Sequence, residues 1–165
     1  MLDPYHPFVK NWKELSGLLA WSRPDPQDGY MSILAPLEID GVTIANLALR
    51  CGCYEQSPDS NITLQLEVGV DGSRTRIPLA RIDWRPISPR HRNPDRTMIH
   101  GDHVHPFERN WLKTEQRMRQ GNLPIAEQIS APIHTFSDLL DLGREVFRIK
   151  DIDRLPMPEW SPKLI

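Results

Sequence analysis

The sequence predicts an α+β fold, an antiparallel β-meander of about five strands with an N-terminal helix and a C-terminal helix packed on it. Three observations predict it. Apolar residues alternate with a period of two through most of residues 30–84. Asp40-Gly41 and Asp71-Gly72 interrupt that alternation as tight hairpin turns. The alternating block is flanked by two segments, 3–21 and 136–148, whose apolar residues recur at helical spacing.

Taken in order, residues 3–21 carry Phe8, Trp12, Leu15 and Leu19 on one helical stripe, with Asp3-Pro4 or Pro7 to start it. Segment 22–29 is a loop by composition. Residues 31–39 and 42–54 read as strands around Asp40-Gly41, and Leu47, Leu49, Cys51 and Cys53 share a face of the second. Residues 61–70 set Ile62, Leu64, Leu66, Val68 and Val70 on one side, and 74–84 follow after Asp71-Gly72 as the next strand. Strands in direct succession argue for a meander and against βαβ units.

Beyond Trp84, residues 85–101 read as a polar loop, long enough to suspect a function. A short strand is expected at 102–107 and a helix at 110–120, closed by Gly121. The last helix, 136–148, opens on a capping box of Thr135 and Asp138 and buries Leu139, Leu142 and Val146, with Leu140 and Phe147 beside them. The proline-rich tail 153–165, with Trp160, is expected to run extended. No domain boundary is visible, so residues 1–165 are read as one domain.

Composition narrows the function. A net charge of −2 excludes a general nucleic-acid or membrane coat, although a local basic groove is compatible with it. The sequence has no run of about 18 apolar residues and no basic N-terminal region leading into an apolar stretch, so the expected location is cytoplasmic, without membrane contact. Cys51 and Cys53 are the only cysteines; with no second pair to complete a zinc site, they read as two buried thiols. P-loop, G-x-G-x-x-G and G-x-S-x-G motifs are absent.

Chemistry concentrates between Arg81 and Glu108. Residues 81–109 hold four of the six histidines (His91, His100, His103, His105) and six arginines against four acids, a local charge of +2. By strand parity Arg81 and Asp83 share one face of their strand, and His103 and His105 share one face of theirs. If those strands pair antiparallel, the four side chains meet, with His91 on the loop above them; a one-residue slip would undo this.

Two chemistries suit such a group. One is metal-independent cleavage of an RNA phosphodiester. There His103 or His105 serves as general base or acid and His91 as a second proton-transfer group, while Arg81 clamps the phosphate and Asp83 orients a partner. Arg85, Arg92, Asn93 and Arg109 are the candidate substrate-binding residues. The other is a divalent transition metal held by His103, His105 and Glu108, an H-x-H pair plus an acid. The competing structural readings are an Arg81–Asp83 ion pair that only stabilises the strand, solvated loop histidines, and Trp84 and Trp111 as core. A non-catalytic module that recognises a partner through the Arg/His patch and the proline-rich tail is the third functional class.

The series Arg81-Ile82-Asp83, His91-Arg92-Asn93-Pro94-Asp95 and His103-Val104-His105 resembles two groups of small bacterial proteins. One is the TumE-type toxins of toxin–antitoxin modules, with R-x-D, a histidine near a proline, and H-x-H. The other is a related bacterial and phage family with the fuller R-I-D…H-R-N-P-D…H-x-H series and a C-terminal helix like 136–148. The likeness is strong over the motif stretch and loose over half the chain. The spacing from Asp83 to His91 is longer here than in the toxins, and Pro106-Phe107 departs from the usual continuation. The resemblance implies a cytoplasmic bacterial toxin acting on RNA and neutralised by a cognate antitoxin, with roles carried onto Arg81, Asp83, His91, His103 and His105.

Overall fold

The computed structural model describes residues 3–159. It is α+β, built on a mostly antiparallel sheet of seven strands with three α-helices. The backbone of the sheet is the expected meander: β2 (Tyr30–Ile39), β3 (Val42–Tyr54), β4 (Ile62–Gly69) and β5 (Arg76–Trp84). Asp40 and Gly41 both have positive φ, 51° and 76°, the requirement of the two-residue turn that their sequence announces.

Three short strands complete the sheet. β1 (Glu14–Leu15) pairs with β2 at one edge. At the other, β8 (His103–His105) pairs with β5 and in turn receives β11 (Glu127–Gln128). The strand order is therefore β1-β2-β3-β4-β5-β8-β11. The polar stretch after Trp84 is not the plain loop that its composition suggests: β6 (Arg90–Arg92) and β7 (Met98–His100) form a hairpin within it.

One face of the sheet is apolar. Leu49, Cys51, Cys53, Leu64, Leu66 and Ile82 are almost wholly buried there, so alternation translates directly into a core. Both cysteines are free and buried, as their place on the core face predicts. Helix α3 (Phe136–Phe147) covers this face with Phe136, Leu139, Leu140 and Phe147. Its capping box forms as written in the sequence, Thr135 Oγ1 accepting from the Asp138 amide at 3.1 Å. Gly143 permits the close approach: a Cβ there would lie 2.9 Å from Ile152 Cδ1 and 3.2 Å from Leu64 Cδ1.

Two helical expectations fail. Residues 3–21 contribute only the short helix α1 (His6–Lys10). Lys13 bridges Ile149, Leu15 pairs with Leu37, and Gly17 at φ 80° turns the chain away, so completing a sheet edge outcompetes a stripe of four apolar residues. Leu15 is buried as the stripe requires, but Trp12 is 38% exposed. Segment 110–120 is likewise not helical: the one-turn helix α2 (Phe107–Asn110) leads into a small hairpin of β9 (Trp111–Leu112) and β10 (Arg117–Met118). Of the tail, Ile152–Arg154 form one 3-10 turn and residues 155–159 have no regular structure, while Trp160 lies outside the described residues. Among the described residues no helix is long and apolar enough to cross a membrane.

Candidate functional site

The opposite face of the sheet is polar, and its chemistry is set by register. Arg81 lies opposite His105 and Asp83 opposite His103 across the β5–β8 pairing, with Ile82 opposite Val104 turned to the other side. The parity expectation is met: the Arg–Asp pair and the imidazole pair share a face. The β6–β7 hairpin brings His91 over them. Its ring centroid is 5.4 Å from that of His103 and 4.9 Å from that of His105, and the latter two are 4.9 Å apart.

One oxygen gathers the group. Asp83 Oδ2 lies 2.9 Å from Arg81 Nε, 3.2 Å from His103 Nε2 and 3.1 Å from His105 Nε2. Asp83 Oδ1 accepts from Thr63 Oγ1 at 2.9 Å, so both carboxylate oxygens are engaged. His103 and His105 are 4% and 0% exposed. Burial works against ionising Asp83, but the hydrogen bonds to His103 and His105 and the Arg81 charge prevail and hold it far below the usual carboxylate range. Burial also opposes protonating both imidazoles. For His103 the bonds to Asp83 and to the Gly101 carbonyl overcome it and raise the pKa; for His105 burial, aided by Arg81, wins and lowers it.

Backbone carbonyls fix the tautomers. A carbonyl only accepts, so each ring nitrogen facing one must carry a proton. His103 Nδ1 donates to Gly101 O at 2.7 Å, His105 Nδ1 to Leu123 O at 2.6 Å, and His91 Nε2 to Pro124 O at 2.9 Å. The second nitrogens are thereby His103 Nε2, His105 Nε2 and His91 Nδ1. A carboxylate also only accepts, so an Nε2 that bonds Asp83 Oδ2 does so as the imidazolium N–H, the form favoured at His103, while a neutral ring keeps its lone pair there. Arg81 Nη2 stands 3.0 Å from His105 Nε2, a donor to that lone pair. One ligating nitrogen from each of His91, His103 and His105 lies within 4.8 Å of the others, a spacing that suits a shared metal ion.

The carbonyls come largely from one segment. Asn122 O faces Arg81 Nη1 at 3.4 Å, Leu123 O faces His105 and Pro124 O faces His91, three successive residues serving three site side chains. Asn122 and Leu123 adopt φ of 58° and 59°, and Leu123 is buried, so the segment is held left-handed by its surroundings. Nothing in Asn122-Leu123-Pro124 announces such a role, because the atoms involved are backbone. The G-N-L-P turn composition is the one available signal.

Other expected residues lie elsewhere. The Asn93 side chain is a strut: Nδ2 donates to Ala126 O at 2.9 Å and Oδ1 accepts from Ala126 N at 2.8 Å, in a buried position. That leaves its amide committed to the protein instead of a substrate. Arg85 stacks on Trp84 and donates to Asp59 O and His134 O, beside α3. Arg109 pairs with Glu127 at 3.0 Å. Arg92 is exposed on β6. Glu108, the expected third ligand, is exposed on α2 and lines a cavity with Ala80 and Val104, which belong to the other face of the sheet. The carboxylate beside the H-x-H pair is that of Asp83.

Comparison with protein-family models, curated proteins and solved structures returns no match.

Proposed function

We propose that this chain is a metal-dependent hydrolase of RNA phosphodiesters, in which His91, His103 and His105 hold one divalent transition metal beside the Asp83 carboxylate. The observation that carries this reading is the locking of three imidazoles by backbone carbonyls, with one ligating nitrogen of each within 4.8 Å of the others. Metal-ligating histidines characteristically donate their second N–H to a carbonyl or carboxylate, which fixes ring and tautomer together. Asp83 Oδ2, 3.1–3.2 Å from the two Nε2 atoms, would offset the charge of an ion held there. Three imidazoles suit zinc or iron among the common metals.

Burial supports the same choice. His105 has no exposed surface, which suits a ligand better than a base that must touch a substrate proton. A metal here would polarise a phosphoryl oxygen and make bound water nucleophilic near neutral pH. Arg81, beside the centre and 15% exposed, would pair with the phosphate anion, and Thr63 would keep the Asp83 carboxylate oriented. The RNA assignment draws on the resemblance and on Arg81 beside the centre; the expectation of a neutralising antitoxin draws on the resemblance alone.

A second reading, metal-independent acid–base cleavage, has one observation in its favour: the environment pushes His103 towards the imidazolium and His105 towards the neutral ring. Incubating labelled RNA with the purified protein separates the two. Cleavage that stops with chelator and returns with zinc, iron or manganese supports the metal reading. Cleavage indifferent to chelator replaces it with the second, and intact RNA under every condition removes both.

A further inference from the structure

The polar face continues past the histidine centre. Strand register lays Arg50, Gln65, Arg81 and His105 in one row across β3, β4, β5 and β8. A parallel row runs Gly52, Thr63, Asp83 and His103. Neighbouring strands are about 4.8 Å apart, so Arg50 and Arg81 stand roughly 10 Å apart on the same face.

The row is held rigid from the neighbouring row of the same face. Glu67, 2% exposed, accepts from Arg50 Nε at 3.1 Å, Arg50 Nη2 at 2.8 Å and Gln65 Nε2 at 2.7 Å, and from Arg76 Nε at 2.6 Å. The Arg50 fork and the Gln65 amide are thus fixed before any ligand arrives, which reduces the entropy cost of binding. Tyr30 closes the far end. A Cβ on Gly52 would lie 2.2 Å from the Tyr30 hydroxyl, so the hydroxyl end of the ring lies across the sheet where β3 has no side chain. Between Tyr30 and Asp83 lies a cavity of about 310 Å³, lined also by Arg50, Gln65, Arg81 and Asn122.

We propose that this groove seats one nucleotide of single-stranded RNA beside the metal centre, its phosphate between Arg50 and Arg81 and its base against Tyr30 and the Gln65 amide. The proposal rests on the RNA-hydrolase reading and deepens it by naming how the substrate lies. Arg50 uses Nε and Nη2 on Glu67, leaving Nη1 for the anion. The chemistry is that of a stacking surface joined to a positive track, which binds single strands with little dependence on sequence.

The test is fluorescence anisotropy of a labelled twelve-nucleotide RNA on the full chain, metal-free and in chelator so that no cleavage intervenes. Wild type should bind, with affinity falling as salt rises. Tyr30→Leu should weaken binding by roughly five- to hundredfold, the range of one base–aromatic contact. Arg50→Lys, which also loosens the buried Glu67 and lowers the melting temperature, should weaken it as well, both measured at a temperature where circular dichroism shows the variants folded. Leu18→Ala, on a side chain far out in solvent, should bind as wild type does. If folded wild type does not bind RNA, or Tyr30→Leu binds as tightly as wild type, the groove is overturned. The two readings fail separately: Tyr30-dependent binding without metal-dependent cleavage leaves the groove and removes the hydrolase, and the reverse removes the groove alone.

Discussion

His105 Nε2 stands 3.1 Å from Asp83 Oδ2 while the Nδ1 proton of the same ring is committed to the Leu123 carbonyl. As a neutral ring it therefore turns a lone pair towards a carboxylate, an arrangement that a shared cation would stabilise. Arg81 Nη2 at 3.0 Å provides part of that positive charge in the protein itself.

Asp83→Asn keeps the shape and removes the charge at this junction. Breaking a fully buried ion pair costs about 3–5 kcal/mol, and Asp83 and Arg81 are 16% and 15% exposed, so a somewhat smaller loss is expected. Urea denaturation of metal-free protein should show it. Zinc titration of the same variant should show weakened binding, which a purely structural ion pair would not produce.

The carbonyl cradle makes a separate prediction. Leu123 is 1% exposed and left-handed, so its side chain holds the segment in place. Leu123→Ala should cost roughly 2–5 kcal/mol in stability and, through looser anchoring of His105, about ten- to hundredfold in metal affinity. Asn122→Gly, at a φ that glycine adopts freely, should leave both within experimental scatter. A competition titration with a chromophoric chelator measures the affinities.

How much of this was legible in the sequence depends on which atoms do the work. The meander was legible because Leu64, Leu66 and Ile82 alternate with polar neighbours, and the last helix because Thr135 and Asp138 write a capping box into it. The meeting of Arg81, Asp83, His103 and His105 followed from parity together with the antiparallel β5–β8 register, which parity does not determine. The N-terminal stripe misled because Lys13–Leu15 gain more by completing a sheet edge than by continuing a helix. The 121–126 segment was invisible because its contribution is three carbonyls, which every residue carries. Asn93 and Glu108 stand away from the centre, and residue type alone does not reveal whether a side chain is already satisfied by backbone or turned to the other face.

Lys13 offers a prediction away from the site. Its side chain is 1% exposed, donates to Asn11 O at 2.7 Å, and is pushed down by burial, then by the Arg148 charge, from an ordinary 10.5 to about 7. Between those values the unfolded chain binds a proton that the folded chain lacks, so this residue makes stability rise with pH across that window. Below about pH 7 the buried charge carries its full cost. Melting temperatures at pH 6.5 and 9.5 should show wild type gaining on Lys13→Met at the higher pH. A constant difference between the two proteins would contradict the assignment.

The most direct measurement is the metal content of protein purified without chelator, by elemental analysis beside the His103→Ala/His105→Ala double variant. The account predicts close to one equivalent of zinc, iron or manganese in wild type and a large loss in the variant. A wild-type protein that neither carries metal nor takes up added zinc while remaining folded would contradict it.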